Sequence, residues 1–303
     1  MASPSSVSPH QDGERDGLRR VGVGGDTLLV VARAGALHPV DASLAELLAA
    51  GRDALHDAVD RALGAPPLEG PSTLLAPVDA QEVWASGVTY RRSATARVEE
   101  SSVGDVYELV YDADRPELFL KATALRVPPP GAPLRIRADS GWDVPEPELA
   151  LVLDAAAQVV GYLVADDVSS RAIEGANPLY LPQAKIYDDA LGLSGTIVLA
   201  RDAPDVRAAG VELEIRRGGE VLFAGATSVS QMKRSFEEIV GALFAELSHP
   251  AGAVLLTGTG VVPPDEVTLR DGDEVRIAID GVGVLRHDIY QQTAGAHVQD
   301  AHH

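Results

Sequence analysis

Three acidic residues and a lysine, spread over positions 146 to 185, are the groups in this sequence best suited to chemistry. Glu146-Pro147-Glu148 opens the set, Asp167 follows nineteen residues after Glu148, and Lys185 closes it. Residues i and i+2 of an extended strand point to the same face, so Glu146 and Glu148 can aim two carboxylates at one point. Asp167 ends a second apolar run and can complete an all-oxygen triad. Hard divalent cations take such ligands and usually keep several waters or substrate oxygens besides. The expected ion is Mg²⁺, with Mn²⁺ or Ca²⁺ as substitutes.

The elements that must position these groups are short and apolar. Leu149 to Leu153 and Gly161 to Val164 read as neighbouring buried strands. Unpaired charge beside such runs is costly unless a cation or partner compensates it. Two glutamates at i and i+2 also mark the solvated face of many edge strands, and spacing alone does not separate the two readings. Lys185 reads as a surface lysine after a turn or as an acid/base group, since like charge from a nearby metal would disfavour its ammonium form. Glu117 has the same two readings, an exposed strand-end acid or a general acid/base.

Composition narrows the function classes. The 303 residues suit one large or two smaller domains, with 46% hydrophobic and 23% charged residues. Against 25 Lys and Arg stand 45 Asp and Glu, a formal net charge of −20. Such a chain repels phosphate backbones, so neither nucleic acid nor an anionic membrane is expected as a partner. Cysteine is absent, which removes disulfides, thiolate metal sites and cysteine nucleophiles. No apolar run has bilayer-spanning length and the N-terminus has no secretory h-region, so a cytoplasmic protein is expected.

Along the chain, residues 1–17 read as a disordered leader and 291–303 as a flexible tail. Residues 18–82 read as a small N-terminal α/β domain, and 83–290 as the catalytic domain. Val21 to Val23 and Thr27 to Val31 read as strands around Gly24-Gly25-Asp26. A helix is expected from about Ala42, with Asp41 able to cap it, Ser43 and Glu46 at capping-box spacing, and Gly51 weakening its middle. Val83 to Tyr90 reads as a strand. Helical insertions are expected at Ser169 to Glu174 and Ser230 to Leu247. Strands are expected at Val211 to Arg216, Val254 to Thr257, Glu266 to Leu269, Glu274 to Ile279 and Val282 to Leu285. The balance is a β-dominant α+β fold with an antiparallel or mixed core. None of the eight histidines falls in the acidic segment, and no nucleophile elbow, dinucleotide fingerprint or P-loop is present.

Several segments together resemble the fumarylacetoacetate hydrolase superfamily: Glu146-Pro147-Glu148, Gly161-Tyr162 through Asp167-Val168-Ser169-Ser170-Arg171, Pro182-Gln183-Ala184-Lys185-Ile186-Tyr187-Asp188, and Leu256-Thr257-Gly258-Thr259-Gly260-Val261-Val262-Pro263-Pro264. Gly87-Val88-Thr89-Tyr90, Arg115 to Phe119, Asn177 to Lys185 and Ser230 to Phe236 are more similar to its 2-keto-3-deoxy-D-arabinonate dehydratase branch. The resemblance implies a mixed β-sandwich roll with a small N-terminal α/β domain, assembled as a homodimer or homotetramer. It implies Glu146, Glu148 and Asp167 as Mg²⁺ ligands, Glu117 and Lys185 as an acid/base pair, and Thr259 as a substrate contact. Tyr90, Arg91 and Arg92 are added as candidate substrate-binding residues.

The implied activity is a Mg²⁺-dependent hydro-lyase that dehydrates a 2-keto-3-deoxy sugar acid, a small 2-oxo acid, by enolate formation and loss of the C4 hydroxyl. Family members that hydrolyse carbon–carbon bonds use a His–Glu pair, and Arg91 to Arg97 contains no histidine. Departures from the family pattern are Asp166 in place of Asn, Ala172 and Ala176 in place of acids, and the missing Gly-Pro after Asp188. They leave two alternatives: a repurposed member acting on another 2-oxo-acid or β-dicarbonyl substrate as C–C hydrolase, decarboxylase or cyclase, or a non-catalytic binding protein.

Overall fold

The computed structural model describes residues 15–92 and 105–292. The chain opens with β1 (Gly17–Val23), β2 (Asp26–Arg33) and β3 (Ala36–Val40), then α1 (Leu44–Ala50), α2 (Arg52–Leu63) and β4 (Thr73–Leu74). There follow β5 (Glu82–Gly87), α3 (Asp105–Asp112), β6 (Glu117–Thr123), β7 (Leu134–Ile136), β8 (Asp143–Val144), β9 (Pro147–Leu153) and β10 (Val159–Asp167). Next come β11 (Ser169–Ser170), α4 (Arg171–Ala176), α5 (Leu181–Lys185), β12 (Leu191–Leu193), β13 (Val198–Leu199), β14 (Gly210–Arg217) and β15 (Glu220–Ser228). The last elements are α6 (Phe236–Phe244), β16 (Ala253–Leu256), β17 (Glu274–Ile279) and β18 (Gly283–Gln291).

Local chemistry explains most of these limits. Gly24 and Gly25, both at positive φ, form the tight turn between β1 and β2. Ser43, and not Asp41, caps α1 through a capping box with Glu46. Gly51, at φ 93°, divides the expected single helix into α1 and α2. β5 stops at Gly87 because Val88 lies at φ 53°, a left-handed conformation that a β-branched residue rarely adopts.

Strands β12-β10-β9-β16-β5-β6 form the central sheet, with β13 also paired to β10. All its pairings are antiparallel except β16 with β5. A second sheet runs β15-β14-β17-β18-β7, and the N-terminal strands form a third, β3-β2-β1-β4. Both faces of the central sheet are covered. Along β9, Leu149, Leu151 and Leu153 pack toward β14, β17 and β18, with α6 in the same cluster. Ala150 and Val152 pack the other way, among Leu44, Leu48 and Leu55 of the N-terminal helices. That alternation is the period of two expected of a pleated strand.

Four expectations shift. The helix expected over Ser230 to Leu247 forms only at Phe236–Phe244, where the Ser235–Glu238 capping box starts it. Residues Ser169 and Ser170 form β11, and Ser170 caps α4 instead of lying within it. No strand forms at Glu266 to Leu269; Val267 and Leu269 are buried, but their N–H groups donate to Pro264 O and Asp143 O in an irregular segment. At the ends, Gly17 already lies in β1 and Gln291 in β18, inside the expected leader and tail. Residues 1–14 and 293–303, and most of the charged stretch Arg91 to Ser102, lie outside the described residues. Among the described residues no helix is long and apolar enough to cross a membrane.

One buried acid yields a stability test. Asp143 is 2% exposed, and its Oδ1 has no hydrogen-bond partner. Burial pushes its carboxyl up to about 6, against the opposing effects of Ser140 and Arg137. A raised folded-state value means stability that is present below the unfolded value is lost as pH rises through about 6. Asp143→Asn should therefore raise the unfolding midpoint at pH 8, by a free energy on the order of 2 kcal/mol. The gain should shrink as pH falls below 6. An equal gain at pH 8 and pH 4 would contradict the assignment.

Candidate metal centre and active site

The strand period sets the site. On β10, Leu163 and Ala165 pack with the N-terminal side cluster, so Asp167 continues that face. Glu148 stands opposite Ala165 in the antiparallel register, and on β9 it continues the face of Ala150 and Val152. Glu146 follows on the same parity. One ligand oxygen from each of Glu146, Glu148 and Asp167 lies within 4.8 Å of the others, and all three residues are buried.

Cations from three other elements compensate this charge. Lys121 of β6 places Nζ 2.5 Å from Asp167 Oδ1 and donates to Val168 O (2.9 Å) and Lys185 O (2.6 Å). Lys185, at the end of α5, donates to Glu146 Oε2 (2.6 Å), Asp167 Oδ2 (3.0 Å) and Ser169 Oγ (2.5 Å). Arg171 opens α4 and stands 3.0 Å from Glu146 Oε1. Glu148 Oε2 accepts the Gly258 N–H at 2.5 Å. Burial, then repulsion from Asp167 and Glu146, still raises the Glu148 carboxyl well above its usual range. Burial lowers Lys121, with Asp167 opposing the shift.

These groups open into a narrow recess. Its lining includes Glu117, Glu146, Glu148, Asp167, Lys185 and Thr259, so six of the nine predicted site residues meet there. Glu117 pairs with Gly87 in the β5–β6 register, and its carboxylate lies across that glycine, where a Cβ would overlap Oε2. The other three predicted residues fall elsewhere. Tyr90 is buried beside Gly260 and bridges Met232, and burial raises its hydroxyl above the ordinary range. Arg91 and Arg92 are exposed and do not line the recess.

Sequence reasoning missed several residues. Lys121 and Arg171 gave no spacing signal, because tertiary packing alone brings them to the triad. Glu174, buried on α4, also lines the recess. His287, which no sequence spacing connects with the acidic segment, places Nε2 2.8 Å from Asp166 Oδ2, behind the metal-binding face. Ala172 and Ala176 are exposed, and neither lines the recess, so these departures do not touch its wall. Asp189 takes the left-handed conformation at φ 55° and accepts a hydrogen bond from Tyr290 at 2.6 Å.

The donor set fits a hard divalent ion. All three candidate ligands are carboxylates, as Mg²⁺ prefers. Five carboxylates line the recess (Glu117, Glu146, Glu148, Asp167 and Glu174), against Lys121, Lys185 and Arg171.

The chain is similar to several known proteins. A family profile described as fumarylacetoacetate (FAA) hydrolase C-terminal matches residues 82–290. The chain is 49% identical over 213 residues to a probable 2-keto-3-deoxyxylonate dehydratase of Haloferax volcanii, covering 70% of this chain and 73% of that one. It is 41% identical over 214 residues to the 2-dehydro-3-deoxy-D-arabinonate dehydratase of Saccharolobus solfataricus, covering 69% and 72%. Among solved structures, an apo 2-keto-3-deoxy-D-arabinonate dehydratase superposes with a TM-score of 0.80 at 32% identity, over 91% of this chain and 99% of that one. A form complexed with magnesium and 2,5-dioxopentanoate gives 0.78 at 31% identity, with the same coverage.

Gly258 offers a sharp test of the site geometry. It lies at φ 88°, and a Cβ there would overlap Thr89 Oγ1 and come within 2.9 Å of Ser86 O. Gly258→Ala should cost about 1–3 kcal/mol of stability and displace the N–H that holds Glu148. A lower unfolding midpoint together with weaker Mg²⁺ binding by calorimetry is expected. Unchanged Mg²⁺ affinity would remove Gly258 from the site.

Proposed function

The chain belongs to the fumarylacetoacetate hydrolase family, and we propose that it dehydrates a 2-keto-3-deoxy pentonate with Mg²⁺ held by Glu146, Glu148 and Asp167. One observation carries the reading: a single recess collects this buried triad together with Glu117, Lys185 and Thr259. The relatives' names support the substrate class. Xylonate and arabinonate of one stereochemical series differ only at C2 and C3. Both centres vanish in the 2-keto-3-deoxy acid, so the two names describe one compound with a single stereocentre at C4.

When bound, the cation supplies Lewis acidity toward the oxygens of a 2-oxo acid and steadies the charge that develops as the C3 proton leaves. Glu117 and Lys185 reach the recess from different elements, β6 and α5. One takes the C3 proton and the other protonates the departing C4 hydroxyl, which leaves as water. Proton transfer from C5 to C3 then carries the double bond to C5 as an enol, and the net product is 2,5-dioxopentanoate plus one water. Thr259 offers a hydroxyl on the recess wall. Among the described residues no histidine lines the recess, which favours dehydration over hydrolysis of a carbon–carbon bond. Intact Glu117 and Lys185 favour an enzyme over a binding protein.

The remaining expectations belong to this reading. They are a small N-terminal domain before residue 83, a cytoplasmic setting, and a homodimer or homotetramer. Exposed Leu125, Leu179 and Tyr180 support assembly by offering apolar surface to cover.

The test compares two variants on a 2-keto-3-deoxy pentonate, following 2,5-dioxopentanoate by mass spectrometry. Glu148→Ala should abolish both Mg²⁺ binding and turnover. Lys185→Ala should keep Mg²⁺ binding and lose turnover by about 100-fold or more. Turnover retained in both variants would sink the mechanism.

A further inference from the structure

Asp166 and Asp167 are neighbours on β10, so their side chains leave opposite faces of the central sheet. Asp167 faces the recess. Asp166 faces the second sheet and is fully buried. Both of its carboxylate oxygens are engaged. Oδ1 accepts the Glu146 N–H at 2.9 Å, and Oδ2 lies 2.8 Å from Nε2 of His287 on β18. The Glu146 carbonyl in turn accepts the Asp167 N–H at 3.0 Å. The backbone of one candidate metal ligand is thus held on both sides by two successive residues of β10.

The surroundings are shaped for this contact. Gly192 pairs with Asp166 across β10 and β12, and a Cβ there would lie 2.9 Å from Leu134 Cδ1, 3.2 Å from Leu285 Cδ2 and 3.7 Å from His287 Cδ2. Any side chain at 192 would crowd the wall on which the imidazole sits. His287 is 5% exposed, and its other ring nitrogen, Nδ1, lies 3.3 Å from Asp288 O. With Nε2–H directed at Asp166, the imidazole donates to a carboxylate that itself holds a metal ligand's peptide. Such outer contacts orient ligands and tune metal affinity.

We propose that Asp166 and His287 are a positioning pair, acting from the far face of the central sheet to set Glu146 for the divalent cation. The inference rests on the metal-centre reading above and touches neither substrate nor reacting atoms. It assigns a purpose to a buried side-chain contact that the reaction does not use. It also links the metal centre to the second sheet, 121 positions further along the chain.

The test measures Mg²⁺ binding by calorimetry on metal-stripped protein, with the metal-free unfolding midpoint recorded for every variant. Asp166→Ala should weaken Mg²⁺ binding about 10–100-fold. Asp166→Asn keeps an oxygen for the Glu146 N–H and places an amide nitrogen against His287 Nε2. It should bind Mg²⁺ within about threefold of the parent, a rescue that loss of packing alone would not give. His287→Leu keeps bulk and removes the donor, so it should shift affinity in the same direction as Asp166→Ala. If Asp166→Ala shows no cooperative unfolding, His287→Leu and Asp166→Asn decide. Parental Mg²⁺ affinity in a folded Asp166→Ala or His287→Leu protein would overturn the pair, as would an equal loss in Asp166→Asn and Asp166→Ala. A parent protein that binds no Mg²⁺ would overturn the metal centre and the pair together.

Discussion

Burying three carboxylates at one point is the constraint around which the rest of the molecule is arranged. Glu146, Glu148 and Asp167 are each no more than 3% exposed, and unpaired charges in such surroundings are not tolerated. The sheet order brings the compensation. Lys121 arrives from β6 at the sheet edge, while Arg171 and Lys185 arrive on the two short helices that follow β11. Removing one partner of a buried pair costs about 3–5 kcal/mol, against a total stability of about 5–15 kcal/mol for a typical protein. Each of these cations is therefore structural before it is chemical, and Lys185 is proposed to be both.

The two covered faces of the central sheet follow from the same need. A site at the ends of β9 and β10 is kept from water only if the strands behind it are buried on both sides, and every residue of β9 is. The N-terminal helices cover one face and the second sheet covers the other. The recess then opens where the strands end, at Gly87, Gly258 and the start of α5. Glycine at 87 lets the Glu117 carboxylate lie across the backbone, and glycine at 258 leaves room for Thr89 and Ser86 against the peptide whose N–H holds Glu148.

What could be read from the sequence was what local spacing encodes. The i, i+2 glutamates, the aspartate at a strand end and the alternation of β9 all carry a period of two, so the triad and the β-dominant fold were legible. Lys121 was not, because a lysine near the end of a strand looks the same whether it faces water or Asp167. The contact of His287 was not legible either, because its partner lies 121 residues away and no periodicity reports a contact of that kind. Residues 266 to 269 alternate like a strand, yet Leu269 gives its N–H to Asp143 instead of a ladder. Arg91 and Arg92 were singled out for their charge, and charge without burial did not place them in the recess.

The central claim is that this chain holds a working 2-oxo-acid site built on a divalent cation. The most direct measurement is the thermal unfolding midpoint of metal-stripped protein, alone, with Mg²⁺, and with Mg²⁺ plus oxalate as a 2-oxo-acid mimic. A ligand that binds only the folded state raises the midpoint, by about 2.7 kcal/mol of stabilisation at a hundredfold excess over its dissociation constant. The account predicts a rise with Mg²⁺ and a further rise with oxalate that appears only when Mg²⁺ is present. A midpoint unmoved by Mg²⁺, or an oxalate shift that needs no metal, would contradict it.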